Sequence, residues 1–271
     1  TIGRQLSAIG FTKINFNQKA DLYVINTCSV TENANRECRR IIRKAKRIAP
    51  NSKVIVTGCY AQLKPVEITA INGVDMILGA NEKFNIPKLL SSKKRKEKIN
   101  GCEINHLDYH DSFSLNDRTR SFLKIQDGCN YPCTYCTIPL ARGNSRCDSI
   151  ENIIKNAEEI AKNNIKEIVL TGVNIGEFKD KDNGRGFAAL LKELEKVKGI
   201  ERYRISSIEP NLITNEIIDF VKQSDKFMPH FHIPLQSGSD IILSKMKRRY
   251  NTKLYKDKIN AITKGIPNVC I

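Results

Sequence analysis

The sequence predicts an α/β protein: an N-terminal domain built on a parallel sheet, followed by an open, partial TIM-type barrel. Three observations lead there. Short apolar runs alternate with stretches of helical spacing, the pattern of repeated βα units. The cysteines richest in chemistry fall just past those runs, at the strand ends where parallel sheets collect ligands. A charged run without any apolar residue, SSKKRKEK at 91–98, separates the two halves. The expected division is a first domain over 1–92, a linker over 93–117 and a second domain over 118–271.

In the first half, the apolar run 22–26 ends in a turn at Cys28. Helical spacing follows through Arg36, Ile41, Ile42, Ala45 and Ile48, closed by Pro50. The runs 54–57 and 74–78 read as further strands, with Gly58 and Cys59 after one and Gly79 after the other. In the second half, 122–125 reads as a strand feeding a cysteine loop. Asp148, with Glu151 three residues on, reads as a capping box that opens a helix. That helix carries an apolar stripe of Ile150, Ile153, Ile154, Ala157, Ile160 and Ala161. Strand-like runs then appear at 167–171, 203–206, 231–233 and 269–271. Helical patterns lie around 188–197, 216–221 and 241–246.

The 271 residues are 40% apolar, enough for a substantial core, and carry a net charge of +16. That excess favours an anionic partner such as nucleic acid over a merely solvated surface. No stretch approaches the ~20 apolar residues of a membrane span and no signal peptide is visible, so a cytoplasmic protein without a membrane partner is expected. In such a chain nine cysteines speak for metal or redox chemistry rather than disulfides. Residue 1 is Thr, and 269–271 reads as a strand just beginning, so the chain is expected to be truncated at both ends.

The strongest chemical signal is GCNYPCTYCTIPLARG at 128–143. Cys129, Cys133 and Cys136 are spaced C-x3-C-x2-C directly after a strand. Three thiolates on one short loop can hold three irons of a cubane cluster, with a fourth iron left open for the amino and carboxylate groups of a methionine-derived cofactor. Zinc would require four tetrahedral ligands, commonly from paired C-x2-C arms, and the second arm is absent. Cys147 has no spacing that recommends it as a fourth ligand.

The loop, with the aromatic Tyr135 before its last cysteine, resembles the radical S-adenosylmethionine superfamily. NTCSVT at 26–31, TGCYAQ at 57–62 and HIPLQSGSD at 232–240 narrow the resemblance to the methylthiotransferases. Within them, NTCSVTENANRECRR, GCYAQLKP, LGANEKF and RTRSFLKIQDGCNYPC are most similar to the branch acting on N6-threonylcarbamoyladenosine in tRNA. The alternatives are methylthiolation of isopentenyladenosine in tRNA or of a ribosomal-protein aspartate. A non-catalytic zinc-binding RNA module is the alternative from another class.

The resemblance implies a radical-SAM barrel, S-adenosylmethionine and two 4Fe–4S clusters. One cluster belongs to Cys129, Cys133 and Cys136. The other, auxiliary, belongs to Cys28, Cys59 and a third cysteine expected upstream of Thr1. Cys38, in a basic helix, does not match that third position. The implied reaction takes hydrogen from C2 of the adenine beside the anticodon with a 5′-deoxyadenosyl radical, and delivers sulfur from the auxiliary cluster and methyl from a second S-adenosylmethionine. Implied partners are the tRNA anticodon loop, a reduced electron donor such as flavodoxin or ferredoxin, and a sulfur donor. A small RNA-binding β-barrel is expected beyond Ile271.

Further cofactor contacts are assigned to Tyr135, to Gly172 in TGVNIGEF, to Ser206 and Glu209 in SSIEP, and to Gln236 and Ser237 in PLQSGS. Gly172 would let backbone approach the methionine moiety, and Ser206 and Glu209 suit ribose hydroxyls. For each of these a plain turn or strand end is the competing reading. Arg118, Arg120, Arg142 and Arg146 suit phosphate and base contacts. KMKRRY at 245–250 does too, although its Lys245, Lys247, Arg248 and Arg249 equally fit one helix end. His230 and His232 read as structural. His106, His110, Cys102, Cys147 and Cys270 receive no role.

Overall fold

The computed structural model describes all residues except 30, 93–96, 103–106 and 116–118, so Arg118, His106 and the centre of the charged run lie outside the described residues. The described chain divides into two compact units, 1–108 together with 136–143, and 109–135 together with 144–271.

The first unit opens with helix α1 (Ile2–Ser7) and alternates β1 (Leu22–Thr27), α2 (Glu32–Ile48), β2 (Lys53–Gly58), α3 (Cys59–Leu63), α4 (Pro65–Thr69), β3 (Met76–Leu78), α5 (Ile86–Ser91) and β4 (Ile99–Asn100). All four strands pair in parallel in the order β1-β2-β3-β4. Parallel strands are covered on both faces, which is why they read as unbroken apolar runs. Tyr23, Ile25, Val54 and Val56 pack with Cys38, Ile42 and Ala45 of α2. Ile55, Met76 and Leu78 face the other way and pack with Ile86 of α5 and with Ile2 and Leu6 of α1. Full burial of Ile42 alone is worth roughly 1.5–3 kcal/mol.

Helix α2 starts where Thr31 Oγ1 accepts the Ala34 amide at 3.1 Å and stops after Ile48, one residue before Pro50 restricts the backbone. The segment 136–143, counted with this unit, carries α6 (Ile138–Arg142), which packs on α3.

The second unit contains β5 (Ser112–Phe113), β6 (Ser121–Lys124), β7 (Gln126–Asp127), β8 (Arg146–Cys147), α7 (Ile150–Lys162), β9 (Glu167–Thr171), α8 (Phe187–Glu195), β10 (Arg202–Ile205), α9 (Asn215–Gln223), α10 (Asp240–Lys245) and α11 (Thr252–Gly265). Its main sheet runs β10-β9-β6-β5, parallel except for the antiparallel edge strand β5. Leu123, Ile168, Leu170 and Ile205 form its core with Ile153, Ala157 and Ile160 of α7 and Leu190, Leu191 and Leu194 of α8. The sheet does not close into a barrel among the described residues, in keeping with the expected open form. Within the stretch expected as a linker, Ile99–Asn100 pairs with β3 and Ser112–Phe113 with β6.

Several expectations need correction. The cap of α7 is Ser149, whose Oγ accepts the Asn152 amide at 3.3 Å; Asp148 instead accepts from Ser149 N and Asn152 Nδ2. The runs 231–233 and 269–271 form only isolated parallel bridges, Ser207↔His232 and His230↔Cys270. Pro229 and Pro234 bracket the first of these and lack the amide a longer ladder needs. Helices α1 and α11 were not anticipated, because their apolar residues are too sparse for a clear stripe. No described helix is long and apolar enough to cross a membrane.

The end of β2 is tightly constrained. Gly58 has φ +98°, and a Cβ there would lie 2.2 Å from the Thr27 carbonyl oxygen. Thr27 Oγ1 donates to Thr57 O at 2.6 Å and accepts the Ala61 amide at 3.2 Å, tying β1, β2 and α3 together. Gly58→Ala is therefore expected to lower stability by at least about 1–3 kcal/mol in urea unfolding. A variant within ~0.5 kcal/mol of wild type would show that the backbone here yields.

Candidate functional site

Within the second unit, the polar residues gather where β6, β9 and β10 end. The chain leaves β6, pairs briefly as β7 and turns at Gly128 (φ +71°) into the cysteine loop. Gln126, buried beneath that turn, acts as a clasp. Its Nε2 donates to Gly128 O at 2.7 Å and to Ser145 Oγ at 2.9 Å, while its Oε1 accepts the amides of Val173 and Asn174 at 2.8 and 3.0 Å. The start of the cysteine loop and the loop after β9 are thus held by one side chain. This gives Gly172 a local reason: a Cβ there would lie 2.8 Å from both Gln126 Oε1 and Ile175 Cγ2.

The loop itself is laced at each step. Glu177 accepts the Asn130 amide at 3.3 and 3.4 Å on its two oxygens. Arg249 donates to Asn130 O at 3.2 Å and places its guanidinium 4.1 Å over the buried Tyr131 ring. Tyr131 in turn accepts from Asn211 Nδ2 at 2.7 Å. Thr134 N donates to Met246 O at 3.3 Å. Cys129 and Cys133 are buried, and the Tyr131 amide donates to Cys129 Sγ at 3.4 Å. Burial pushes the Cys129 thiol up to about 12, partly opposed by that amide. Cys136 is partly buried and belongs to the segment counted with the first unit.

The run expected to share a helix end does not do so. Helix α10 stops at Lys245, and Lys247 has φ +56°, sending Arg248 inward. The Arg248 side chain is 6% exposed and donates from Nη1 to Glu209 Oε1 at 2.7 Å; it also donates from Nη2 to the Tyr135 hydroxyl. Tyr135 otherwise presents an exposed ring and donates to Gln236 Oε1 at 3.0 Å. Gln236 has φ +66°, a position L-residues seldom occupy without surrounding support. Ser237 Oγ accepts the Ser239 amide at 3.1 Å. Burial, then Glu177, pushes the Glu209 carboxyl up to about 7, while the guanidinium against it favours the ionised form. Of the expected contacts, Tyr135, Glu209 and Gln236 are thereby joined in one chain through Arg248, whereas Ser237 bonds within its own turn.

Gln126, Asn174, Glu177 and Asn211 had no part in the sequence reading. The available signal was a set of polar residues in the words KIQDG, TGVNIGEF and EPNLI, at or just past strand ends. Five buried polar atoms along this edge find no hydrogen-bond partner among the described residues: Asn174 Nδ2, Ser206 Oγ, Glu209 Oε2, Asn211 Oδ1 and Arg248 Nε. Buried polar groups are rarely left so, and a mixture of donors and acceptors suits a ligand bearing both. His230 is half-buried with Nδ1 also unpartnered.

In the first unit, Cys28 is exposed at the end of β1 and Cys59 is buried at the start of α3. Thr27 and Gly58 are register partners, so the two cysteines follow adjacent strand ends. Cys38, on the buried face of α2, lies in the core and donates to Cys28 O at 3.6 Å. Cys147 is a core residue of the second unit. Among the described residues no three His, Cys, Asp or Glu side chains are grouped at metal-holding distance.

Two family models match the chain. The uncharacterized protein family UPF0004 covers residues 1–79, and the radical SAM superfamily covers 123–271, more than half the chain. The chain belongs to the radical SAM superfamily. Among curated proteins, it is 41% identical over 97% of its length to the threonylcarbamoyladenosine tRNA methylthiotransferase MtaB of Bacillus subtilis, and 37% identical over 95% to that of Aquifex aeolicus. It spans 59% and 64% of those two proteins. A solved radical S-adenosylmethionine methyltransferase, TsrM from Kitasatospora setae with cobalamin and a 4Fe–4S cluster bound, matches 92% of this chain and 57% of its own. The TM-score is 0.62 and the identity 15%, which is a likeness of fold.

Membership implies a 4Fe–4S cluster and S-adenosylmethionine, and the residues present fit both. The thiols of the cysteine loop are the soft donors such a cluster takes, and one already receives a backbone amide. The unpartnered atoms along β9 and β10 offer the donors and acceptors a nucleoside and an amino acid need.

The buried pair is open to a direct test. Arg248→Met leaves Glu209 uncompensated and is expected to cost about 3–5 kcal/mol in urea unfolding, with most of the loss restored by adding Glu209→Gln. A raised carboxyl pKa contributes stability that is lost as pH rises through it, so the single variant's deficit should shrink as pH falls from about 7. A pH-independent loss below ~1 kcal/mol would show that the pair does not hold this loop.

Proposed function

We propose that this chain is the catalytic core of a tRNA methylthiotransferase that inserts a methylthio group at C2 of N6-threonylcarbamoyladenosine beside the anticodon. The observation that carries the reading is the 41% identity, over 97% of the chain, to a relative named for that reaction. The net charge of +16 supports an RNA substrate, since phosphate contacts dominate such affinity. The target base stands in a single-stranded loop, where it can be splayed out and stacked.

Cys129, Cys133 and Cys136 would hold the cluster by three irons. Ser206, Glu209, Asn174 and Asn211 would take hydrogen bonds from and to S-adenosylmethionine along the strand ends, with Gly172, Gln236 and Ser237 nearby in the chain's own turns. Bound there, the reduced cluster and S-adenosylmethionine would supply radical chemistry, able to take hydrogen from an aromatic C–H that acid–base chemistry cannot touch. The protein's share is positional. Gln126 fixes the loop entrance, Arg248 fixes Glu209 and Tyr135, and the exposed Tyr135 ring offers a face to a cofactor or a base. Cys28 and Cys59 would hold the auxiliary cluster that serves as sulfur carrier. An electron donor such as flavodoxin or ferredoxin, a sulfur donor and the tRNA anticodon loop are the partners, in the cytoplasm.

Replacing any one of Cys129, Cys133 or Cys136 by Ala is expected to reduce 5′-deoxyadenosine formation by at least ~100-fold, as reductive cleavage needs all three irons held; normal yield from a variant would sink the assignment. The substrate is tested by mass spectrometry of tRNA nucleosides from cells lacking the gene. Loss of the 2-methylthio nucleoside with accumulation of N6-threonylcarbamoyladenosine is expected. An unchanged nucleoside would redirect the search to isopentenyladenosine tRNA or a ribosomal-protein aspartate.

A further inference from the structure

Helix α2 carries Arg36, Arg40, Arg43 and Arg47, spaced by four, three and four residues. At 100° per residue these four fall within about 60° of one another, directly opposite the buried face of Cys38, Ile42 and Ala45. They form one exposed stripe about 16 Å long at 1.5 Å rise per residue. Arg40, Arg43 and Arg47 line a cavity of about 330 Å³ on this face.

An ordinary solvated helix face mixes signs, because like charges at i,i+3 and i,i+4 oppose helix formation. Here Arg40 meets Glu37 at 2.6 Å, and Arg36, Arg43 and Arg47 make no ion pair among the described residues. The other cations of the helix have structural uses. Lys44 donates to Asn17 Oδ1, Lys46 donates to Ser52 O, and Arg39 bonds Glu32 and Tyr60. Residue type points the same way. The chain contains 29 Lys and only 16 Arg, yet every cation on the stripe is Arg. The planar fork of donors distinguishes Arg from Lys where phosphate is gripped at two oxygens.

We infer that the arginine stripe on α2 is a phosphate-binding surface for RNA, gripping successive phosphates of a strand. The inference rests on the reading of RNA as substrate and assigns part of that contact to the first unit. Since the four side chains are exposed on the outer face of a helix, substituting them leaves the core untouched.

The test measures binding of a tRNA anticodon stem–loop by fluorescence anisotropy over a range of salt, with the full-length protein. The variant replaces Arg36, Arg40, Arg43 and Arg47 by Gln together. The control replaces four exposed lysines, Lys155, Lys162, Lys192 and Lys196, in the same way. For the stripe variant, the slope of log affinity against log salt is expected to shallow by about 3, at ~0.7–0.9 per phosphate contact, and affinity at physiological salt to fall at least ~10-fold. The control should retain the wild-type slope, and circular dichroism should show both variants folded. An unchanged slope in the stripe variant overturns the inference while leaving RNA as substrate intact. An equal loss in the control overturns it too, since any four cations would then serve. Wild-type protein that fails to bind the RNA, or binds only anionic vesicles through these arginines, overturns the inference and the RNA reading together.

Discussion

The ion pair between Arg248 and Glu209 is the constraint on which the candidate site's geometry rests. Two charges at 6% and 10% side-chain exposure are costly to bury, and neither is tolerable without the other. To reach Glu209, Arg248 must turn inward, which requires the left-handed backbone at Lys247 and an early end to α10. Arg249 is then presented to the Tyr131 ring and Asn130, while the carbonyls of Lys245 and Met246 face Thr134. The turn that buries Arg248 thus supplies one set of contacts to the cysteine loop from 130 to 135, beside those from Glu177 and Asn211.

On the opposite side of that loop, Gln126 does with one amide what a metal or disulfide does elsewhere. Its four main bonds use both ends of the side chain, leaving no room for a Cβ at Gly172. The result is a rigid rim of satisfied groups beside a set of unsatisfied ones, Ser206 Oγ and Glu209 Oε2 among them. Rigid support around unmet hydrogen-bonding capacity is the arrangement expected of a preorganised binding site.

The first unit shows the same division of labour. Thr27 and Gly58 lock the ends of β1 and β2 so that Cys28 and Cys59 follow neighbouring strand ends. Its helix α2 serves two masters, an apolar face for the sheet and an arginine face on which, among the described residues, only Arg40 is ion-paired, to Glu37.

Much of this was legible from the residues alone. Apolar runs with both faces buried announce parallel strands, so β1, β2, β6 and β9 and the stripe of α7 could be read directly, as could the cysteine spacing that marks the cluster loop. Local signals of that kind need only a few neighbouring residues. Where two local signals competed, as with Asp148 and Ser149 at the start of α7, only the packed structure chose the cap. The bridges at His230 and His232 likewise depended on prolines and on partners far away in sequence, Cys270 and Ser207. The roles of Gln126, Asn211 and Arg248 were decided by tertiary structure alone, because their partners lie 47, 80 and 39 residues distant and a polar side chain carries no periodic mark of what it will meet.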